Sequence, residues 1–108
     1  MAAPYNPPVK AQDFKVRIGL EDYDSPGNLQ VNPTIAAGDF KVDIDGGGFT
    51  NLTTLPSVSP AGGRAVLIEL SAAEMNGDVI TIQCVDQTAT KEWADVLISI
   101  PTVQVSGG

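Results

Sequence analysis

Histidine is absent from this chain of 108 residues. With it go the commonest general base near neutral pH, the commonest side-chain metal ligand, and every Ser-His or Cys-His nucleophile arrangement. Cysteine occurs once, as Cys84, so neither an internal disulfide nor a thiolate zinc site can form, a pattern that fits synthesis in a reducing cytoplasm. Stability has to come from packing. Basic residues are scarce: six Lys and Arg stand against thirteen Asp and Glu, for a formal net charge of -7. Such a chain repels phosphate backbones and anionic lipid surfaces, which argues against nucleic acid and membrane partners. No apolar run approaches the roughly 18 to 20 residues that cross a bilayer. The opening Met1-Ala-Ala-Pro-Tyr-Asn-Pro-Pro holds neither the basic nor the apolar stretch of a secretory signal, so no export is expected.

What is present is a 43% hydrophobic complement, enough for the modest core of one domain, arranged with the period of strands. Phe14, Val16, Ile18 and Leu20 alternate with Lys15, Arg17 and Gly19, the spacing of a strand buried on one face. Residues 21–28, Glu-Asp-Tyr-Asp-Ser-Pro-Gly-Asn, are turn-formers and predict a loop. A short second strand is expected at residues 29–31, with Pro33 restricting Asn32 to extended geometry. Phe40, Val42 and Ile44 give a third strand, and Asp45-Gly46-Gly47-Gly48 predicts a tight hairpin into a fourth after Phe49. Two prolines and two glycines in residues 55–63 read as a loop crossing between sheets. Residues 65–70 supply a fifth strand, and residues 79–85 and 93–100, rich in β-branched side chains, a sixth and a seventh, the last expected in a sheet interior.

One helical turn is expected between the fifth and sixth strands. Ser71-Ala72-Ala73-Glu74 has the spacing of a capping box, and Asn76-Gly77 follows as a stop. Seven short strands with no amphipathic helix of useful length predict an all-β fold, an antiparallel β-sandwich of immunoglobulin-like type, with a partly open barrel as competitor. Three segments follow: a proline-rich extended arm over residues 1–11, the sandwich over 12–102, and a tail over 103–108. Pro4, Pro7 and Pro8 stiffen the arm and suit it to lie along a neighbouring subunit.

Chemistry-bearing motifs are few. Glu21-Asp22-Tyr23-Asp24 with Asn28 offers oxygen ligands without calcium-loop spacing. Asp39, Asp43 and Asp45 read as carboxylates on an exposed strand face in preference to a glycosidase acid and base. Gly46-Gly47-Gly48 lacks the Lys-Ser/Thr and the helix of a phosphate loop. Cys84 reads as a small buried hydrophobe, and Trp93 as an anchor between the sheets. No catalytic residue, metal site or cofactor is expected.

A longer pattern carries a resemblance. Residues 32–42 (Asn-Pro-Thr-Ile-Ala-Ala-Gly-Asp-Phe-Lys-Val), Asp45-Gly46-Gly47-Gly48-Phe49, Leu55-Pro56, residues 59–63 (Ser-Pro-Ala-Gly-Gly), residues 70–78 (Leu-Ser-Ala-Ala-Glu-Met-Asn-Gly-Asp) and Glu92-Trp93-Ala94-Asp95 together resemble small immunoglobulin-like structural proteins and modules of tailed-bacteriophage virions. The resemblance implies a noncatalytic role in the virion, made in the bacterial host cytoplasm and bound in many copies to the major capsid protein or to tail and neck proteins. A capsid decoration or cement protein is the first expectation. A tail or neck accessory protein or fibre-attachment adaptor is the second, and a carbohydrate-binding module for host glycans the third. The side chains expected to contact a partner are Pro4, Tyr5, Pro7 and Pro8 of the arm, with Phe49, Leu55, Pro56 and Pro60 on the two neutral loops.

Overall fold

The computed structural model describes residues 7–103. Their seven strands are β1 (Phe14–Gly19), β2 (Phe40–Ile44), β3 (Thr50–Asn51), β4 (Ser57–Val58), β5 (Ala65–Leu70), β6 (Val79–Cys84) and β7 (Val96–Pro101). They form two antiparallel sheets, ordered β1-β5-β4 and β3-β2-β6-β7. This is the Greek-key arrangement of immunoglobulin-like sandwiches, with consecutive strands shared between the two layers. Among the described residues no helix is long and apolar enough to cross a membrane.

Alternation in the sequence becomes the two inner faces. Phe14 pairs across from Leu70, Val16 from Ile68 and Ile18 from Val66. On the other sheet Phe40, Val42 and Ile44 sit opposite Cys84, Ile82 and Ile80. The fully enclosed centre includes Leu20, Ile68, Ile80, Ile82 and Trp93. Trp93 is an anchor of the core, its ring 5.7 Å from that of Phe40 and its indole N–H donating to the Thr34 carbonyl at 3.3 Å. That bond supplies the partner a buried indole requires. Cys84 is completely buried, and burial pushes its thiol up to about 12.

The strands differ from the sequence reading in three places. Residues 29–31 form no strand; Leu29 makes one bridge to Glu21 and its side chain folds over β1, so that a Cβ on Gly19 would lie 2.7 Å from it. The Gln30 and Asn32 amides donate instead to Leu20 and Gly63 carbonyls, which leaves no continuous ladder. Ser57–Val58, expected as loop, is β4, because the two residues past Pro56 reach Leu67 and Val66 at the rim of β5, where prolines nearby interrupt no second ladder. β7 begins at Val96 and, among the described residues, is an edge of its sheet and not an interior strand; β6 covers one side and no described strand the other.

Asn32 is not extended either. Its φ is 47°, the left-handed region that asparagine tolerates when a following proline disfavours the right-handed helical one. The capping box forms as the spacing requires: the Ser71 amide donates to Glu74 Oε1 at 2.8 Å, and the Glu74 amide to Ser71 Oγ at 3.2 Å. A single helical turn results, closed by the Met75 amide on the Ser71 carbonyl.

The described end of the arm is docked on its own domain. Val9 pairs in parallel with Val103, Val103 N–H donates to the Pro8 carbonyl, and Ala11 N–H donates to Met75. Residues 7–11 and Val103 therefore belong to the sandwich, because the amides of the segment after β7 need acceptors that the arm supplies.

Candidate functional site

The acidic side chains give the molecule its charge, and the expectation of carboxylates on an exposed strand face fails for Asp39 and Asp43, while Asp45 is exposed. Asp39 and Asp43 are buried. Asp43 accepts from the Gly46 and Gly48 amides at 2.9 and 2.7 Å, bracing the β2–β3 hairpin from within. Asp39 accepts from the Ala36 and Gln87 amides, tying the β1–β2 connection to the β6–β7 connection. Asp45, at the positive φ of 54°, accepts from the Asp78 and Val79 amides at 2.9 Å each. Glu92 takes both the amide and the hydroxyl of Thr34. A carboxylate holding two amides fixes loop backbone that has no strand partner, through the stronger, charge-assisted kind of hydrogen bond.

Asp86 is the clearest electrostatic case. Burial by itself pushes its carboxyl up, but the Glu92 amide, the Thr88 hydroxyl and amide, and the charge of Lys91 outweigh that effect and hold it below its ordinary value. Lys91 in turn is raised, chiefly by its 2.8 Å hydrogen bond to Asp95. Among the described residues no group of three His, Cys, Asp or Glu side chains is placed to hold a metal ion. The carboxylates considered as an acid and base pair are occupied by backbone amides.

These bonds build a loop cluster at each end of the sandwich. At one end lie residues 45–49, the turn at 71–78 and residues 7–11. There Asp45 holds Asp78, Lys10 reaches Asp78 at 3.2 Å, and Gly77 packs so closely on Ile44 that a Cβ would lie 2.5 Å from it. At the other end residues 20–39, 59–64 and 85–95 are cross-linked by the bonds from Asn32 to Gly63, Tyr23 to Glu92 and Ala94 to Glu21.

The expected contact residues divide between these ends. Pro4 and Tyr5 lie outside the described residues. Pro7 is exposed and Pro8 half-buried. Phe49 is 41% exposed and Leu55 50%. Pro60 is exposed, whereas Pro56 is buried and presents no surface. The structure brings residues 7–11 and the Phe49 hairpin to one end and leaves Pro60 at the other, so the six described residues do not form one patch.

Two apolar surfaces escaped the sequence reading. One is a shallow notch of about 240 Å³ lined by Ile18, Gly19, Leu29 and Ala65 with Arg17 and Arg64 at its rim. Its signal was the glycine in β1, where a neighbouring side chain approaches the sheet. The other is a strip along β7, where Val79, Leu97 and Val103 are exposed, Leu97 at 67%. No periodicity could reveal it, because alternation marks the face of a strand and not whether a neighbour lies beside it.

No protein family, curated protein or solved structure matches the chain.

Proposed function

We propose that this chain is a noncatalytic structural protein of a tailed-bacteriophage particle, a decoration or cement protein that binds the capsid surface in many copies. The observation that carries the reading is the pairing of exposed apolar side chains with rigid loops. Phe49 and Leu55 stand exposed beside backbone clamped by Asp43 and Glu74. An apolar anchor held in place before contact loses little conformational freedom on binding, which suits a rigid particle surface. The resemblance of the sequence to small immunoglobulin-like virion modules supplies the rest.

The test is sedimentation of the purified chain with bare capsids, together with its copy number in purified particles. Occupancy that follows the capsid lattice supports the head; the copies of one ring would move the protein to the neck or tail. Phe49→Ser is expected to lower occupancy while costing less than about 1 kcal/mol of stability, against about 3 to 5 kcal/mol for truncating a core phenylalanine. The glycan-binding alternative is disfavoured by Trp93, which is fully buried and offers no face for a sugar to stack on. A glycan array is expected to show no binding.

A further inference from the structure

Edges of β-sheets are where unpaired backbone groups invite another chain, and natural proteins blunt them by brevity, charge or proline. Three of the four edges formed by the described residues are blunted. β3 and β4 are two residues each, and β1 carries Lys15 and Arg17. The fourth, β7, is six residues long and carries no charge, with its only proline at the last position.

The register of β7 shows which of its groups are open. Thr102 N–H donates to the Asp78 carbonyl, and Ile100, Ile98 and Val96 continue the same phase opposite Ile80, Ile82 and Cys84. In an antiparallel ladder the bonding direction alternates along the strand. The N–H and C=O groups of Leu97 and Ser99 therefore point away from β6, toward the open side. Farther along that side residues 8–10 cap Val103, the Lys10 amide donating to its carbonyl and its own amide to Pro8, and among the described residues no strand covers the stretch that runs back from Pro101.

We propose that this stretch pairs antiparallel with the same stretch of a second copy of the chain, about a two-fold axis through Ile98. In that register Leu97 of each copy exchanges both backbone bonds with Ser99 of the other, four bonds in all by the geometry of such a ladder. The two four-stranded sheets become one continuous sheet. The contact is isologous, as a two-fold dimer requires. Exposed Leu97 is covered on the outer face, and the half-buried Ile98 meets its own copy on the inner one.

Charge decides between a second copy and a basic partner. Two molecules of net charge -7 repel, yet that charge is not expressed along β7. The carboxylates at its two ends, Asp95 and Asp78, are each paired with a lysine, Lys91 at 2.8 Å and Lys10 at 3.2 Å. The two-fold operation lays the Lys91–Asp95 end of one copy beside the Lys10–Asp78 end of the other, so charges of opposite sign are available on both sides of the contact. A single strand pair falls below the roughly 1,000 Å² of a stable interface. The dimer is accordingly weak in free solution and gains where copies are concentrated. The inference is independent of the virion reading, since it rests on the edge alone.

The test is amide hydrogen exchange with sedimentation velocity on the full chain, from about 10 μM to about 1 mM, the range in which a small interface dissociates. The expected result is a shift from monomer to dimer at low added salt that becomes stronger as salt screens the net charge. Exchange at Leu97 and Ser99 slows at least about tenfold across that range, while Ile98, already bonded to β6, changes little. Ser99→Pro removes an open-side donor and leaves the β6 ladder intact, a setting in which an edge strand tolerates proline. It should remain monomeric at every concentration while Ser99→Ala still dimerises. A chain that stays monomeric at about 1 mM, or Leu97 and Ser99 amides protected equally at all concentrations, overturns the proposal, the second because the edge would then be covered within one chain.

Discussion

Replacing Glu74 separates the local and the long-range work of one carboxylate. The side chain is 7% exposed. Its Oε1 accepts from the Ser71 amide at 2.8 Å within the helical turn, and its Oε2 accepts from the Thr53 amide at 2.9 Å on the segment between β3 and β4. Hydrogen bonds to a charged acceptor contribute about 1.5 to 3 kcal/mol net each. Thr53 is exposed, so water recovers part of that bond when the carboxylate is lost, and Glu74→Ala is expected to cost about 3 kcal/mol. Glu74→Gln keeps one carbonyl acceptor but turns an amide donor toward a backbone N–H, for about 2 kcal/mol, or a fall in Tm of about 10 °C for a domain of this size. Ser71→Ala removes only the 3.2 Å bond from the Glu74 amide and should cost about 1 kcal/mol. Urea unfolding at constant m measures the series, and hydrogen exchange at the Thr53 amide should quicken in Glu74→Gln but not in Ser71→Ala. If Glu74→Gln lies within about 0.5 kcal/mol of the wild type, or Ser71→Ala costs more than Glu74→Ala, the carboxylate does not fasten the two segments and the reasoning fails.

Trp93→Ala should destabilise by about 3 to 5 kcal/mol, since the indole is fully enclosed against Phe40; Leu97→Ala, at an exposed site, is the control that should move stability little. The folded-state carboxyl of Asp86 lies below its ordinary value, so its contribution is complete above the unfolded pKa and disappears as pH falls through the folded one. The stability gap between wild type and Asp86→Asn should narrow from neutral pH to below about 4, and a gap that widens on acidification would show the sign to be wrong. Cys84, buried with its thiol raised to about 12, should resist a thiol reagent in the folded chain and react on unfolding in urea; stoichiometric labelling of the native protein would contradict its burial.

Much of this fold is legible in the residues because it is made locally. Alternation over Phe14–Gly19, Phe40–Ile44, Ala65–Leu70 and Val79–Cys84 selects strands and assigns their inner faces, since side-chain direction repeats every two residues whatever lies beside the strand. The Asp-Gly run and the capping box likewise need only their own backbones, and both turns stand where the residues put them. Phe49 and Leu55 were readable as exposed because they lie in Gly-rich and Pro-rich stretches that no sheet interior accepts.

Other features depend on neighbours far away in the chain. Leu29 is claimed by Gly19 and Glu21, so residues 29–31 make no strand, while Ser57–Val58 becomes one only because β5 lies alongside. Pro56 is lost from the surface by the same packing. The acidic residues announce charge, but whether a carboxylate faces water or two amides depends on loops brought in from elsewhere, as Glu74 meets Thr53 and Asp39 meets Gln87. The open edge of β7 is the extreme case. A strand's composition records which of its faces is buried, whereas its place in the sheet depends on which other strands pair with it, and that pairing is a property of the assembled layers alone.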